Sequence, residues 1–285
     1  MQANLIVQFL KHFQMNFKNF TQKHPATTYF IITFTISWLG AFILIAPKLF
    51  GGHPIPKMDG ILMFPIMLIG PVAASVILIT LTEGRTGFQN LLSRMGKWKV
   101  PLKWYLVALI IPPCLIMATL LLLKNFVSPA FALNFFYFGF LFGIPAGFFE
   151  EIGWTGYAFP KLCLKQNFIK SSVILGFFWG LWHFPVIDFL GAASPHGMYL
   201  LPFFIAFIAI LTAMRVLIAW VYSNTNSILL AQFMHAVSTG CLAMLGPAPL
   251  SPAQETLWYS LYAVILWITV FIIFRVKDKK KAMRH

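Results

Sequence analysis

An all-α bundle of about eight transmembrane helices is the fold this sequence predicts, and three observations predict it. The first is composition. Of 285 residues, 59% are hydrophobic and 10% charged, with mean hydropathy +0.81, whereas a soluble domain carries about a quarter charged residues. A water-soluble core of this size cannot hide so much apolar surface. The second is a series of apolar runs near 27–47, 61–82, 104–123, 131–149, 172–190, 199–221, 227–246 and 256–274. A hydrocarbon core of about 30 Å needs about 20 helical residues, and each run is close to that length. The third is charge asymmetry. Eight spans place 18 of the 21 Lys and Arg residues on one side and leave Lys48, Lys57 and Lys124 on the other. The positive-inside rule makes the basic side cytoplasmic, with both termini there; an odd number of spans spoils the alternation.

Taken in order, residues 1–26 read as an amphipathic lead-in lying in the membrane interface. Leu5, Phe9, Phe13, Phe17 and Phe20 recur at helical spacing with Lys11, Lys18 and Lys23 between them. The compact apolar core and small-residue cleavage site of a secretory signal are missing. Residues 27–275 form a single membrane domain, and 276–285 a basic cytoplasmic tail. The second loop carries Arg85, Arg94, Lys97, Lys99 and Lys103, the fourth Lys161, Lys165 and Lys170, and Arg215 lies toward the same end of span six. Because these basic residues sit between apolar spans, the net charge of +14 belongs to topology and to anionic lipid, and nucleic acid is not an expected partner. Cys114, Cys163 and Cys241 show no CxxC spacing and read as small packing residues. No soluble domain, internal repeat or low-complexity tract stands out.

Polar residues inside the spans carry the functional argument. Asp59, Glu83, Glu255 and Asp278 fall in loops or the tail, whereas Glu150, Glu151 and Asp188 fall at or inside span ends and His183 and His235 within spans. A charge at bilayer depth costs about 2.5–3.5 kcal/mol on insertion scales, so such residues usually have a function or a partner. Glu150, Glu151, His183 and His235, from spans four, five and seven, are therefore the candidates for one site. Adjacent helical residues point about 100° apart, so the two glutamates take different jobs. Gly139, Gly143 and Gly147 make a small-residue stripe on span four, and Gly176 and Gly180 another on span five. Such stripes allow close helix approach in lipid. If these two meet, a carboxylate of span four faces His183. Pro145 and Pro185 free carbonyls nearby, which suits a water-accessible cavity. Asp188 and His196 read as structural polar residues, and Trp154, Trp179, Trp182 and Tyr157 as packing or belt aromatics.

Two chemistries use a carboxylate with two imidazoles. In one, a carboxylate and a histidine activate water while the second histidine stabilises an oxyanion. In the other, Glu150, His183 and His235 ligate a divalent metal such as zinc that holds the water. Either predicts hydrolysis inside the membrane. The HExxH and GxSxG signatures are absent.

The run EEIGWTGYAFP (150–160), then WGLWHFP (179–185), then SILLAQFMHAVST (227–239) resembles the CPBP family of intramembrane proteases, the CAAX protease and bacteriocin-processing enzymes. The resemblance spans about residues 130–245, with the three motifs in order. It implies an intramembrane endopeptidase acting on a membrane-associated peptide or protein. Glu150 would activate water with His183, His235 would stabilise the oxyanion, and Glu151 would support the site or bind a metal. Trp179 stands at the aromatic position four before the histidine, where Phe is usual. Thr239 stands at the polar position four after His235, where Asn is usual. Thr155 replaces the arginine usual four residues after the second glutamate. Arg215 reads as a topological charge snorkelling to the interface; the alternative is that it takes over the missing arginine's pairing. The competing functions are a non-catalytic immunity or chaperone-like membrane partner and a proton-coupled transporter. The latter calls for inverted repeats that the sequence does not show. The expected location is the plasma membrane, as a multi-pass protein.

Overall fold

Helix ends follow from capping chemistry. Pro25 opens the helix Pro25–Phe50 at a position where a missing N–H costs nothing. Asn167 Oδ1 accepts from the Lys170 N–H at 2.9 Å, and Ser227 Oγ from the Leu230 N–H at 3.1 Å. A left-handed Asn226 (φ 51°) ends the helix before that cap.

The computed structural model describes residues 15–282, with side-chain surroundings through residue 275. Most of the interfacial lead-in predicted for 1–26 lies outside the described residues; 15–23 are helical. Ten helical elements follow. They are α1 (Pro25–Phe50), α2 (Lys57–Met67), α3 (Ile69–Thr82), α4 (Gly84–Met95), α5 (Leu102–Phe126), a composite α6 from Phe140 to Cys163, α7 (Phe168–Trp182), α8 (Leu200–Thr225), α9 (Ile228–Leu245) and α10 (Pro252–Ala282). No strand occurs among the described residues. Six helical stretches are long and apolar enough to cross a membrane: α1, α2 with α3, α5, α8 with the short turn before it, α9, and α10 to Arg275. The chain is a multi-pass, all-helical membrane bundle.

Predicted spans four and five take a different form. Residues 132–136 are not helical, and the Phe136 N–H instead bonds the Met244 carbonyl at 2.7 Å. Helix α6 therefore starts about ten residues later than the apolar run, so Glu150 and Glu151 stand in its middle rather than at its end. Helix α7 stops at Trp182 and continues as a tighter 3-10 turn, Phe184–Phe189, because Pro185 has no N–H for an α-helical bond.

Bonds between loops sort the segments into two ends. At the basic end Lys165 Nζ bonds the Lys23 carbonyl at 2.6 Å, Lys161 pairs with Glu83 at 2.5 Å, and Ser227 Oγ donates to the Lys97 carbonyl at 2.6 Å. At the opposite end Lys57 Nζ bonds the Gly191 carbonyl at 2.7 Å and Lys48 pairs with Asp59. Both α6 and α7 run between these ends. Arg215 belongs to neither: it is fully buried, which corrects its reading as an interfacial topology charge.

The glycine stripes also find other partners than expected. A Cβ at Gly143 would sit 2.1 Å from the Ala236 carbonyl, and one at Gly147 2.5 Å from the Gln232 carbonyl, so that stripe packs on α9. The Gly176 and Gly180 stripe packs on α8, against Thr212 and Ile208. Both stripes permit close approach, but to α9 and α8 rather than to each other.

Glu255, expected in a loop, is fully buried in the first turn of α10. It accepts from the Ala192 and Ala193 N–H groups at 2.9 and 2.8 Å and lies 3.3 Å from His196 Nε2. Asp188 holds Nδ1 of the same ring at 3.0 Å. The cluster staples the loop before α8 to α10. Burial alone would depress the His196 pKa, but Glu255 and Asp188 outweigh it and raise the value.

A raised folded value means that this staple stabilises fully below the ordinary histidine pKa of about 6.5 and weakens as pH rises through the folded value. Thermal unfolding in detergent should show that decline for the wild type and a flatter profile for His196→Ala. Gly143→Leu should cost at least about 1–3 kcal/mol by forcing α6 off α9, read as a lower melting temperature in the same assay.

Candidate active site

The two glutamates sit where α6 is distorted. Ala146–Glu150 and Trp154–Ala158 are π-helical and flank the α-helical turn Glu151–Gly153. Wide π turns free backbone groups and often mark functional sites. Prolines add to this. Pro160 lacks the N–H that would pair with the Gly156 carbonyl, and Arg94 donates to that carbonyl instead, at 2.9 Å. Gln232 on α9 donates to the Phe148 carbonyl at 2.9 Å. At the end of α7, the Trp182 carbonyl accepts from the Trp38 indole at 3.0 Å.

Glu150 and Glu151 have opposite surroundings. Glu151 is fully buried, and both its oxygens are engaged. Arg215 forks onto it with Nη1 to Oε2 at 2.7 Å and Nη2 to Oε1 at 2.8 Å. The Thr155 hydroxyl donates to Oε2, and His235 Nδ1 meets Oε1 at 2.7 Å. Thr155 also accepts from Arg215 at 3.3 Å. Glu150 is equally buried but carries no cation. Its Oε2 accepts from two indoles, Trp179 at 2.5 Å and Trp154 at 3.1 Å, while its Oε1 is buried without a partner.

The histidines take defined tautomers from their partners. The Trp179 carbonyl can only accept, so His183 Nδ1 donates to it at 2.8 Å and Nε2 is left with its lone pair. His235 Nδ1 likewise donates to the Glu151 carboxylate, leaving Nε2 for other work. Trp179 joins all these parts. Its indole holds Glu150, its carbonyl orients His183, its ring packs edge-on to His235 with centroids 4.9 Å apart, and the Arg215 guanidinium lies 4.3 Å above it. The folded chain thus brings Glu150, Glu151, His183, His235 and Trp179 together. Thr239, one turn beyond His235, is half-buried and makes no hydrogen bond to the other candidates.

Two contributors, Trp154 and Gln232, were not legible as such, and Arg215 only as an alternative. Trp154 is a donor to Glu150 rather than packing, a role its spacing of four residues allows. Arg215 is the counter-ion of Glu151, so it takes over the missing arginine's pairing, the alternative to its reading as a topological charge. Gln232 steadies a π-turn carbonyl.

The predicted metal ligands Glu150, His183 and His235 do not converge on one ion position. Among the described residues no three carboxylate, imidazole or thiol groups converge to hold an ion. Glu151 is committed to Arg215 and His235, and Glu150 Oε2 to two N–H donors.

Comparison with known proteins agrees with the motifs. The family model for type II CAAX prenyl endopeptidases, Rce1-like, matches residues 132–241. A CAAX prenyl protease 2 from Methanococcus maripaludis is 28% identical over 237 residues, covering 75% of this chain and 82% of its own.

Arg215→Ala leaves a buried carboxylate unpaired and should destabilise the protein by about 3–5 kcal/mol. Adding Thr155→Arg to that variant places a guanidinium one helical turn from Glu151. The double variant should recover part of the lost melting temperature, while Thr155→Leu in the same background should not.

Proposed function

We propose that the chain is an intramembrane protease of the CPBP type, which its motifs and its similarity to type II CAAX prenyl endopeptidases support, and that Glu150 is the general base that activates water for peptide-bond hydrolysis. One observation carries this assignment. Glu150 has a buried oxygen with no partner, whereas both oxygens of Glu151 are taken. A carboxylate fixed at Oε2 by two indole donors presents Oε1 in a single orientation, as a positioned base must.

The other groups divide the work. Water donates one hydrogen bond to Glu150 Oε1 and the other to His183 Nε2, whose lone pair is free because Nδ1 is held by the Trp179 carbonyl. Attack on the scissile carbonyl transfers the water proton to Glu150. His235, oriented by Glu151 at Nδ1, turns its Nε2 to the developing oxyanion. Collapse of the tetrahedral intermediate breaks the C–N bond, and Glu150 returns its proton to the leaving amine. Glu151, Arg215 and Thr155 form the frame that sets the His235 ring. Thr239 supports the same helix face. No step requires a metal.

The substrate is a membrane-associated peptide or protein. The relative's name points to CAAX tails as the first class to try, with leader peptides and other membrane proteins as competitors. The basic end faces the cytoplasm in this reading, and the plasma membrane is the proposed location.

The deciding measurement is cleavage of fluorogenic peptides of these three classes by detergent-purified protein. Glu150→Gln should lower turnover about 100- to 10,000-fold at unchanged melting temperature. Dialysis against a chelator should leave the wild-type rate intact. Equal cleavage by wild type and variant would remove Glu150 from the role of base. Activity lost to chelator and restored by zinc would replace the metal-free mechanism.

A further inference from the structure

The catalytic reading leaves unused a cavity of about 490 Å³ at the basic end, between α4, the end of α6 and the end of α8. Thr86, Asn90, Arg94, Tyr157, Lys161 and Tyr222 are among its lining residues. Arg94 is the informative one. It donates to the Tyr222 hydroxyl at 2.7 Å, to the Gly156 carbonyl at 2.9 Å and, over a longer 3.4 Å, to the Asn90 carbonyl. All three acceptors are neutral. Among the described residues no carboxylate pairs with it. The nearby acid, Glu83, is taken by Lys161. A half-buried guanidinium therefore faces a cavity without a counter-ion, with two of its five N–H donors still free. Tyr157 lines the same cavity as Arg94.

These groups call for an anion with several acceptor oxygens, and the planar fork of arginine suits phosphate. The level of the cavity indicates its source. Trp98 and Leu102, 62% and 70% exposed, lie beside Lys97, Lys99 and Lys103 at this end, the mixture of aromatic and basic residues that marks the headgroup layer. We propose that this cavity binds a phosphate group, presented by an anionic phospholipid headgroup. Two of its walls belong to the active-site frame. Gly156 follows Thr155 in the π turn, and Tyr222 lies about two turns beyond Arg215 on α8. Occupancy thus braces the segments that hold Glu151, independently of which residue performs catalysis.

The test follows thermal unfolding of the full chain in detergent, titrated with dioctanoyl phosphatidylglycerol, dioctanoyl phosphatidylcholine or inorganic phosphate. The glycerol lipid should raise the melting temperature saturably, at lower concentration than the zwitterionic lipid. Arg94→Gln should raise the half-saturating concentration at least about tenfold, the loss expected for a charged hydrogen bond. Because Arg94 also holds the Gly156 carbonyl, Asn90→Phe supplies the second variant: it fills the cavity, keeps the Asn90 main chain, and should abolish the response at an unchanged ligand-free melting temperature. A full response to inorganic phosphate alone would uphold the phosphate site and assign it to a soluble source. No saturable response to any of the three, or an unaltered response in both variants, overturns the proposal.

Discussion

The buried fork of Arg215 onto Glu151 is the interaction on which the rest of the site rests. A lone carboxylate or guanidinium at this depth is costly, and each makes the other tolerable only while the geometry holds. That requirement locks α8 to α6. With both oxygens of Glu151 accepting, the His235 ring is fixed by its Nδ1 bond, which brings in α9. Trp179 lies against the guanidinium and reaches Glu150 and His183, which brings in α7. Four helical segments are thus tied through one ion pair, and the neighbouring Glu150 is left as the carboxylate with an uncommitted oxygen.

The distortions of α6 are the backbone counterpart of this arrangement. A regular helix would place consecutive glutamates about 100° apart with every carbonyl paired internally. Two π stretches and Pro160 instead release carbonyls, and side chains from outside take them up: Gln232 at Phe148 and Arg94 at Gly156. In a bilayer such irregular backbone is stable only where protein or water satisfies it. The donors come from α9 and α4, so the distorted segment is held from two sides. The staple of Asp188, His196 and Glu255 plays a related part at the opposite end, pinning the loop that follows His183.

The membrane fold and the participants in the site were largely legible in the residues. Hydropathy located the long helices, and the cost of charge in lipid singled out Glu150, Glu151, His183 and His235. For Arg215 the sequence left two uses open, topological charge and glutamate partner, because a basic residue near a span end satisfies both rules. The glycine stripes mark close-packing surfaces but not their partners, which are α9 and α8, because a small-residue stripe specifies distance of approach and not which helix approaches.

Composition, hydropathy and charge distribution are properties of the chain, and they sufficed for an all-helical membrane protein with ionisable groups at depth. Their physical basis is transfer free energy, which depends on residue type and needs no knowledge of neighbours. The division of labour between Glu150 and Glu151 depends on which donors reach each oxygen, from α7, α8 and α9, far apart in the chain. The placement of both in the middle of α6 depends on the preceding residues pairing with α9. These are matters of distance and direction between segments, and only the packed bundle decides them.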